Sequence, residues 1–248
     1  MLLCGKPSLD SPLIDTPHTS SDYEQQLALA HDRVLQLGVR VERQVVDAIE
    51  SLGSGSEALI DQIMLHEGLV NALEMEIDAL VGQIIARRQP TGRDLRMLMA
   101  VIKITTHLER VGDEAKKIAL QARRIFARGA AMLPRYVEVR RISQMALAML
   151  RTSLAALERL EVGDAEGVAH RDLAVDDAFR GILRQLITYM IEDPRTISSA
   201  LDILFIAKSL ERIGDHAKNI AEQVIYAIDG RDMRHASDPA RSTYTSGS

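Results

Sequence analysis

What this chain lacks narrows its reading first. Tryptophan is absent and aromatic residues make up only 3% of the 248. Lys and Arg number 30 against 35 Asp and Glu, leaving a net charge of −5. Without a basic surplus or aromatic stacking platforms, no direct nucleic-acid partner is expected. The single cysteine, Cys4, excludes an internal disulfide and fits a reducing compartment. Met1-Leu2-Leu3-Cys4 has the ending of a lipoprotein signal but neither the basic leader nor the apolar stretch, so no anchor is read from it. The longest charge-free run in the helical part, Ile142 to Leu150, falls far short of the roughly 20 residues that span a bilayer. Membrane contact is expected only through partners.

What remains is a helix-forming vocabulary: 46% hydrophobic, dominated by Ala, Leu, Ile, Met, Glu and Arg. Pro7, Pro12 and Pro17 mark residues 1–18 as an irregular tail, and Pro90, Pro134 and Pro194 punctuate the rest. A first helix opens near Ser20-Ser21-Asp22, carries Leu27, Val34, Val41, Val45 and Ile49 at helical spacing, and ends at Gly53-Ser54-Gly55. A second spans about Ser56 to Arg88, with Ile63, Val70, Leu73, Ile77, Leu80 and Ile84 inward. The third runs from about Arg93 to Arg128. Pro134 suits the first turn of a fourth that reaches Leu160. Gly163-Asp164 turns into a fifth, striped by Val168, Val175, Phe179, Ile182, Leu186 and Met190. Asp193-Pro194 opens the sixth, and past Gly230 the period is lost.

Six helices joined by short turns predict an all-α fold of two tandem, pseudo-symmetric antiparallel three-helix bundles. The expected bounds are 19–130 and 131–230, with a C-terminal tail at 231–248. No stretch alternates as a strand would.

One twelve-residue stretch occurs twice, LERVGDEAKKIA at 108–119 and LERIGDHAKNIA at 210–221. Each copy spaces a Glu and an Asp by four: Glu109 with Asp113, and Glu211 with Asp215. Both carboxylates then leave one face of a helix, a turn apart. Leu210, Ile213, Ala217, Ile220 and Val224 share the opposite sector, as do Leu108, Val111, Ala115 and Ile118. The acidic pairs are therefore expected on the surface, outside the core. Gly112 and Gly214 sit mid-helix, where glycine costs about 1 kcal/mol against alanine. They either admit a close neighbour or leave room above the carboxylates.

Each preceding helix brings acidic residues of its own: Glu67 with Asn71, then Glu74 with Asp78, and in the second half Asp172 with Asp176. If antiparallel neighbours juxtapose these stripes, several oxygen donors meet in each bundle, and uncompensated they repel one another. A bound cation resolves that conflict, and oxygen-only donors suit Mg²⁺, Mn²⁺, Ca²⁺ or iron ahead of Zn²⁺. The plain alternative is a solvated face with surface pairing by Lys116 and Lys218. His216 points elsewhere on its helix, while His66 and His107 lie beside the acidic positions without repeating between halves. Four arginines, Arg87, Arg88, Arg93 and Arg96, surround the turn at Pro90 and read as solvated helix-end charges. Arg123-Arg124 and Arg140-Arg141 read as exposed charges, and the methionines at 97, 99, 145, 149 and 190 as core filling. There is no glycine-rich phosphate loop and no nucleophile with a base.

The two copies of the motif, IIARRQPTGRDLR at 84–96, LRQLITYMIEDPRTI at 183–197 and PHTSSDYEQQL at 17–27 together resemble the PhoU family of phosphate transport regulators. The likeness spans roughly 17–235. It implies surface metal clusters held by Glu109, Asp113, Glu211, Asp215, Asp172 and Asp176, with Glu67 and Asn71 completing the first half. Asn71 stands where an Asp would complete the pattern, which implies weaker binding there. It further implies a non-enzymatic, cytoplasmic homodimer at the inner face of the membrane. Such a protein couples the ATPase subunit of a phosphate ABC transporter to a sensor histidine kinase, as a negative regulator of the phosphate-starvation response. The competing readings are a di-metal carboxylate enzyme, which would need the inward Glu-xx-His motifs this chain lacks, and a metal-free helical scaffold.

Overall fold

The computed structural model describes residues 17–129, 136–231 and 233. Six α-helices account for nearly all of them: α1 (Pro17–Ser54), α2 (Glu57–Arg88), α3 (Gly92–Ala127), α4 (Tyr136–Arg159), α5 (Val162–Glu192) and α6 (Ile197–Asp229). No strand occurs among the described residues. Cys4, Pro134, the join at residue 130 and most of the C-terminal tail lie outside them.

The breaks follow local chemistry. At the α1–α2 turn Gly55 adopts φ +61 with the Phe126 ring packed where a Cβ would stand, so no other residue fits. Ser56 then caps α2 by accepting from the Leu59 N–H at 3.4 Å. Gln89 ends α2 in the left-handed region, and Pro90 prevents its continuation. Asp193 accepts from the Arg195 N–H at 3.0 Å, and one 3-10 turn, Pro194–Thr196, leads into α6. Two boundaries differ from expectation. The first helix starts earlier, at Pro17, because proline at the first helical position gives up no hydrogen bond. The α4–α5 turn falls at Leu160, held at φ 53, which leaves Gly163 inside α5.

The predicted apolar stripes are the core. Val34, Val41 and Val45 of α1, Ile63, Val70 and Ile77 of α2, and Val168, Val175 and Ile182 of α5 are all buried. Met149 is buried too, whereas Met99 is exposed and Met97, Met145 and Met190 are partly buried. Within each set of three, the helices pack on their immediate neighbours. The sets are not separate bodies, however. The most extensive helix pairing in the molecule is α3 with α6, and α1 also packs on α4, where a Cβ on Gly38 would meet Leu154.

Antiparallel α3 and α6 thus form a central pair. Arg96 packs by Gly230 at the C-terminal end of α6, and Arg128 pairs with Asp202 near its start. This pairing buries a face the sequence presents as polar. His107, Glu114 and Gln121 recur every seven residues on α3, and Ser209, His216 and Gln223 do so at the matching places on α6. Glu114, Ser209 and Gln223 are buried and the two histidines are partly buried.

Candidate functional site

Because α3 packs on α1, α2 and α6 at once, its acidic positions occupy the narrow flank left between α2 and α6. Glu109 and Asp113 are partly buried there, as are Glu211 and Asp215 on α6. This corrects the expectation of an exposed surface site. Two isolated bundles would leave these faces in water; the central pair shields them.

The glycines explain how the motif sits so tightly. Gly112 and Gly214 are both buried, on the core side of their helices rather than beneath the carboxylates. A Cβ at 112 would lie 3.1 Å from Gln44 Oε1 of α1, and one at 214 would lie 3.4 Å from Val175 Cγ1 and 3.7 Å from Met149 Sδ. Of the two roles the sequence allowed, close approach of a neighbour is the one they serve.

In the first half, α2 delivers Glu67 and Glu74 to the α3 motif. Burial, then Asp113, Glu74 and Glu67, push the Glu109 carboxyl above its ordinary range, with Arg110 opposing. Glu74 is likewise raised, by burial and then by Asp78 and Asp113. Lys116 pairs with Glu67. Asn71 is exposed on α2, a turn beyond Glu67.

In the second half, burial is the main reason Asp215 is pushed up to about 6, followed by the negative charge of Glu211, Asp172 and Asp176. Asp172 is only 5% exposed and accepts from Lys218 Nζ at 2.8 Å, while Lys208 donates to both oxygens of Glu211 at 2.6 Å. The structure therefore brings together Asp172, Asp176, Glu211 and Asp215 on one flank and Glu67, Glu74, Glu109 and Asp113 on the other. Glu74 belongs with the first group although the family pattern passes it by.

These groups suit a hard cation in donor chemistry, and their mutual repulsion is what a cation would relieve. The lysines now supply part of that compensation. Among the described residues no three His, Cys, Asp or Glu side chains stand close enough to hold an ion. Binding would require Lys116, Lys208 and Lys218 to swing away.

Sequence reasoning missed the middle of the α3–α6 pair. His216 does not point away from the motifs: its Nδ1 lies 3.3 Å from that of His107, with ring centroids 5.5 Å apart. Burial and the neighbouring positive charges lower both histidines, His107 to about 4, so the pair is neutral and one ring donates to the other. The related contact, between Glu114 and Ser209, lies across the pseudo-dyad. Other charges also found partners: Arg123 bridges Glu57 and Asp61, and Arg88 donates to Gln26.

A family model, the PhoU domain, matches this chain twice, over residues 34–122 and 139–224. A relative from Pseudomonas aeruginosa, named a phosphate-specific transport system accessory protein PhoU homolog, is 42% identical over 221 residues, covering 89% of this chain and 90% of the relative. The Escherichia coli protein named phosphate-specific transport system accessory protein PhoU is 38% identical over 218 residues, covering 88% and 90%. The crystal structure of PhoU from Pseudomonas aeruginosa superposes with a TM-score of 0.81 at 41% identity, over 84% of this chain and all of that one. The fold is shared also with a phosphate transport system regulatory protein PhoU from Streptococcus pneumoniae, with a TM-score of 0.77 at 22% identity over 85% and 98%. With both halves matched and both motifs in place, the chain belongs to the PhoU family.

Proposed function

We propose that this chain is an accessory regulator of phosphate uptake, acting as a metal-binding adaptor between a phosphate ABC transporter and a sensor histidine kinase. The observation that carries this reading is the family match over both repeats, to relatives named accessory proteins of a phosphate transport system. Those names fit a protein that is not an enzyme. In this reading the chain acts negatively on the starvation response, as a homodimer in the cytoplasm. No helix of the described residues is long and apolar enough to cross a membrane, so it would reach the membrane through the transporter.

The metal part of the proposal rests on the two carboxylate flanks. Glu67, Glu109, Asp113 and Asn71 would hold ions in the first half, and Asp172, Asp176, Glu211 and Asp215 in the second. Magnesium, manganese or iron fit these oxygen donors better than zinc. The cations would neutralise charge that burial has made costly and would stiffen the α2–α3 and α5–α6 pairs for docking.

The adaptor reading predicts that deleting the gene derepresses phosphate-responsive expression in phosphate-rich medium. It also predicts that the tagged protein retains the transporter ATPase subunit and the kinase. Unchanged expression together with no retained partner overturns it. Elemental analysis of wild type against Asp113→Ala/Asp215→Ala tests the metal: equal content in the two sinks that part alone.

A further inference from the structure

The outward face of the central pair carries an apolar step at the start of each helix, and the two ends of the face finish it differently. On α3 the step is Leu95 and Met99; on α6, at the same places in the repeat, it is Ile197 and Leu201, and all four are exposed. One turn further on, α3 has Lys103 and α6 has Phe205. Across the pair, Lys103 lies over the ring of Tyr226, 5.4 Å from its centroid. The repeat places Arg124 on α3 where α6 has Tyr226. The internal symmetry that sets Lys103 against Tyr226 therefore sets Phe205 against Arg124.

A cation and a ring thus stand at both ends, with their helices exchanged, but only one end is closed. Tyr226 is partly buried, with Lys103 over it. Phe205 is 54% exposed. Arg124 is exposed and forms no hydrogen bond or ion pair among the described residues. Its neighbours on this face are already paired: Lys117 with Glu114, Arg128 with Asp202, and Lys208 with Glu211. The open end presents three apolar side chains in line on α6, Ile197, Leu201 and Phe205, beside one unpaired guanidinium.

Water around these three side chains is a standing cost that burial would remove, and the cation beside them selects what can bury them. The backbone of α6 is hydrogen-bonded within the helix here, so an added strand finds nothing to pair with, and the row is met by side chains alone. Positions i, i+4 and i+8 span about 12 Å, a length along which a second helix can lay a row of its own. An anionic bilayer fits poorly. Carboxylates stand beyond both ends of the row, Glu192 and Asp193 where α5 ends and Glu211 and Asp215 past Lys208, and a broad negative surface would press on them. A helix is narrow enough to lie between.

We propose that Ile197, Leu201, Phe205 and Arg124 dock an amphipathic helix of a partner protein, with apolar residues a turn apart on the row and a carboxylate at its edge on Arg124. This rests on the adaptor reading, for which it supplies one of the two surfaces that holding two proteins at once requires. A footprint of three apolar side chains lies at the small end of specific interfaces, which suits a transient contact.

The test measures binding of the purified transporter ATPase subunit and of the purified sensor kinase to the immobilised full chain. Phe205→Glu and Arg124→Glu change exposed positions and should leave the melting temperature in place. Each is expected to bind one and the same partner at least tenfold more weakly, and the other as wild type does. Lys103→Ala, at the closed end, should bind both as wild type. Sedimentation and flotation with phosphatidylglycerol–phosphatidylethanolamine vesicles check the other occupants: the variants should keep the wild-type mass, and wild type should not float. The docking proposal alone is overturned if either variant binds both partners as wild type or loses both, if Lys103→Ala loses the same partner, or if Phe205→Glu instead releases a second copy of the chain or a vesicle. Wild type that binds neither partner removes the adaptor reading and this surface with it.

Discussion

The two halves arrange the same acidic motif with different neighbours. Where the second half has Asp176, the first has Asn71; where the second has Phe179, the first has Glu74. On the central helices the second half carries Lys208, which lies 5.3 Å from the Phe179 ring and clamps Glu211, while the first half has Thr106 at that place. The first flank therefore replaces one carboxylate with another, a turn along α2, and has Lys116 on Glu67 but no counterpart of Lys208. The second keeps its carboxylates and screens two of them, Asp172 with Lys218 and Glu211 with Lys208. Acidity here belongs to the pair of helices rather than to fixed motif positions, and a ligand pattern carried over residue by residue undercounts the first flank.

The largest expected effect is at the motif glycines. Gly112 faces Gln44, which is fully buried and donates to the Ile63 carbonyl at 3.3 Å, so it has no room to retreat. Gly214 faces Met149 and Val175 at ordinary contact distance, and methionine repacks readily. Gly112→Val is expected to cost about 3 kcal/mol and Gly214→Val about 1 kcal/mol by denaturant unfolding. Gly214→Ala should be neutral or stabilising by up to roughly 1 kcal/mol, since helix propensity then favours alanine. Equal costs at both glycines would mean the halves pack alike.

Next comes the division of metal between the flanks. If Glu74 stands in for the carboxylate that Asn71 does not provide, Glu74→Ala should weaken first-flank metal binding by about tenfold, the scale seen when a supporting group is removed. Asn71→Asp should strengthen it by less. Titration of Mn²⁺ in an Asp215→Ala background, where the second flank is disabled, reads this directly. A larger effect from Asn71→Asp restores the motif-position view.

How much of this was legible in the sequence depends on which face of a helix carried the information. Stripes such as Ile63, Val70 and Ile77 announce themselves because apolar residues at helical spacing have one physical use, and Asp193-Pro194 or Ser56 mark starts because caps are chosen by side-chain chemistry. The α3–α6 pairing hid because its residues are polar: His107, Glu114 and Gln121 read as solvent-facing until their partners Ser209, His216 and Gln223 are seen. Their seven-residue spacing, repeated in both halves, was the available signal. With that face in contact, the Glu109 and Asp215 positions become flanks of a groove, and the surface site expected from one helix at a time becomes a half-buried one.

The flanks should also differ in their response to pH. Asp215 titrates near 6 in the folded chain against an ordinary 3.8. The folded state therefore holds this proton more tightly than the unfolded one, and metal-free stability from this group falls as pH rises from about 4 to 6, then stays level. His107, lowered to about 4, acts in the opposite sense: its neutral burial favours the fold above 6.5 and loses that advantage as pH falls towards 4. The wild-type profile sums the two, so the difference from Asp215→Asn isolates the carboxylate. That variant should melt higher than wild type at pH 7.5 and at the same temperature at pH 4. Glu109→Gln should act in the same direction. A variant that melts lower at pH 7.5 would show that the Asp215 charge stabilises the fold.

The smallest effect separates the two lysines that hold these flanks together. Lys218 pairs with Asp172, whose side chain is 7% exposed, and Lys116 with Glu67, whose side chain is 21% exposed. Removing a partner costs more where the stranded charge is less hydrated. Without metal, Lys218→Met should destabilise by about 1 kcal/mol and Lys116→Met by only a few tenths, roughly the value of an exposed pair. Lys218→Met should also move the Asp215 titration further up, since Asp172 is among the charges that already raise it. With saturating Mn²⁺ the order should invert. The ammonium competes with a cation for Asp172, so its removal strengthens metal binding, and stabilisation by bound metal rises with the logarithm of its affinity. A Lys218→Met protein that is weaker than wild type both with and without metal would mark the lysine as the intended counterion and leave the second flank a solvated face.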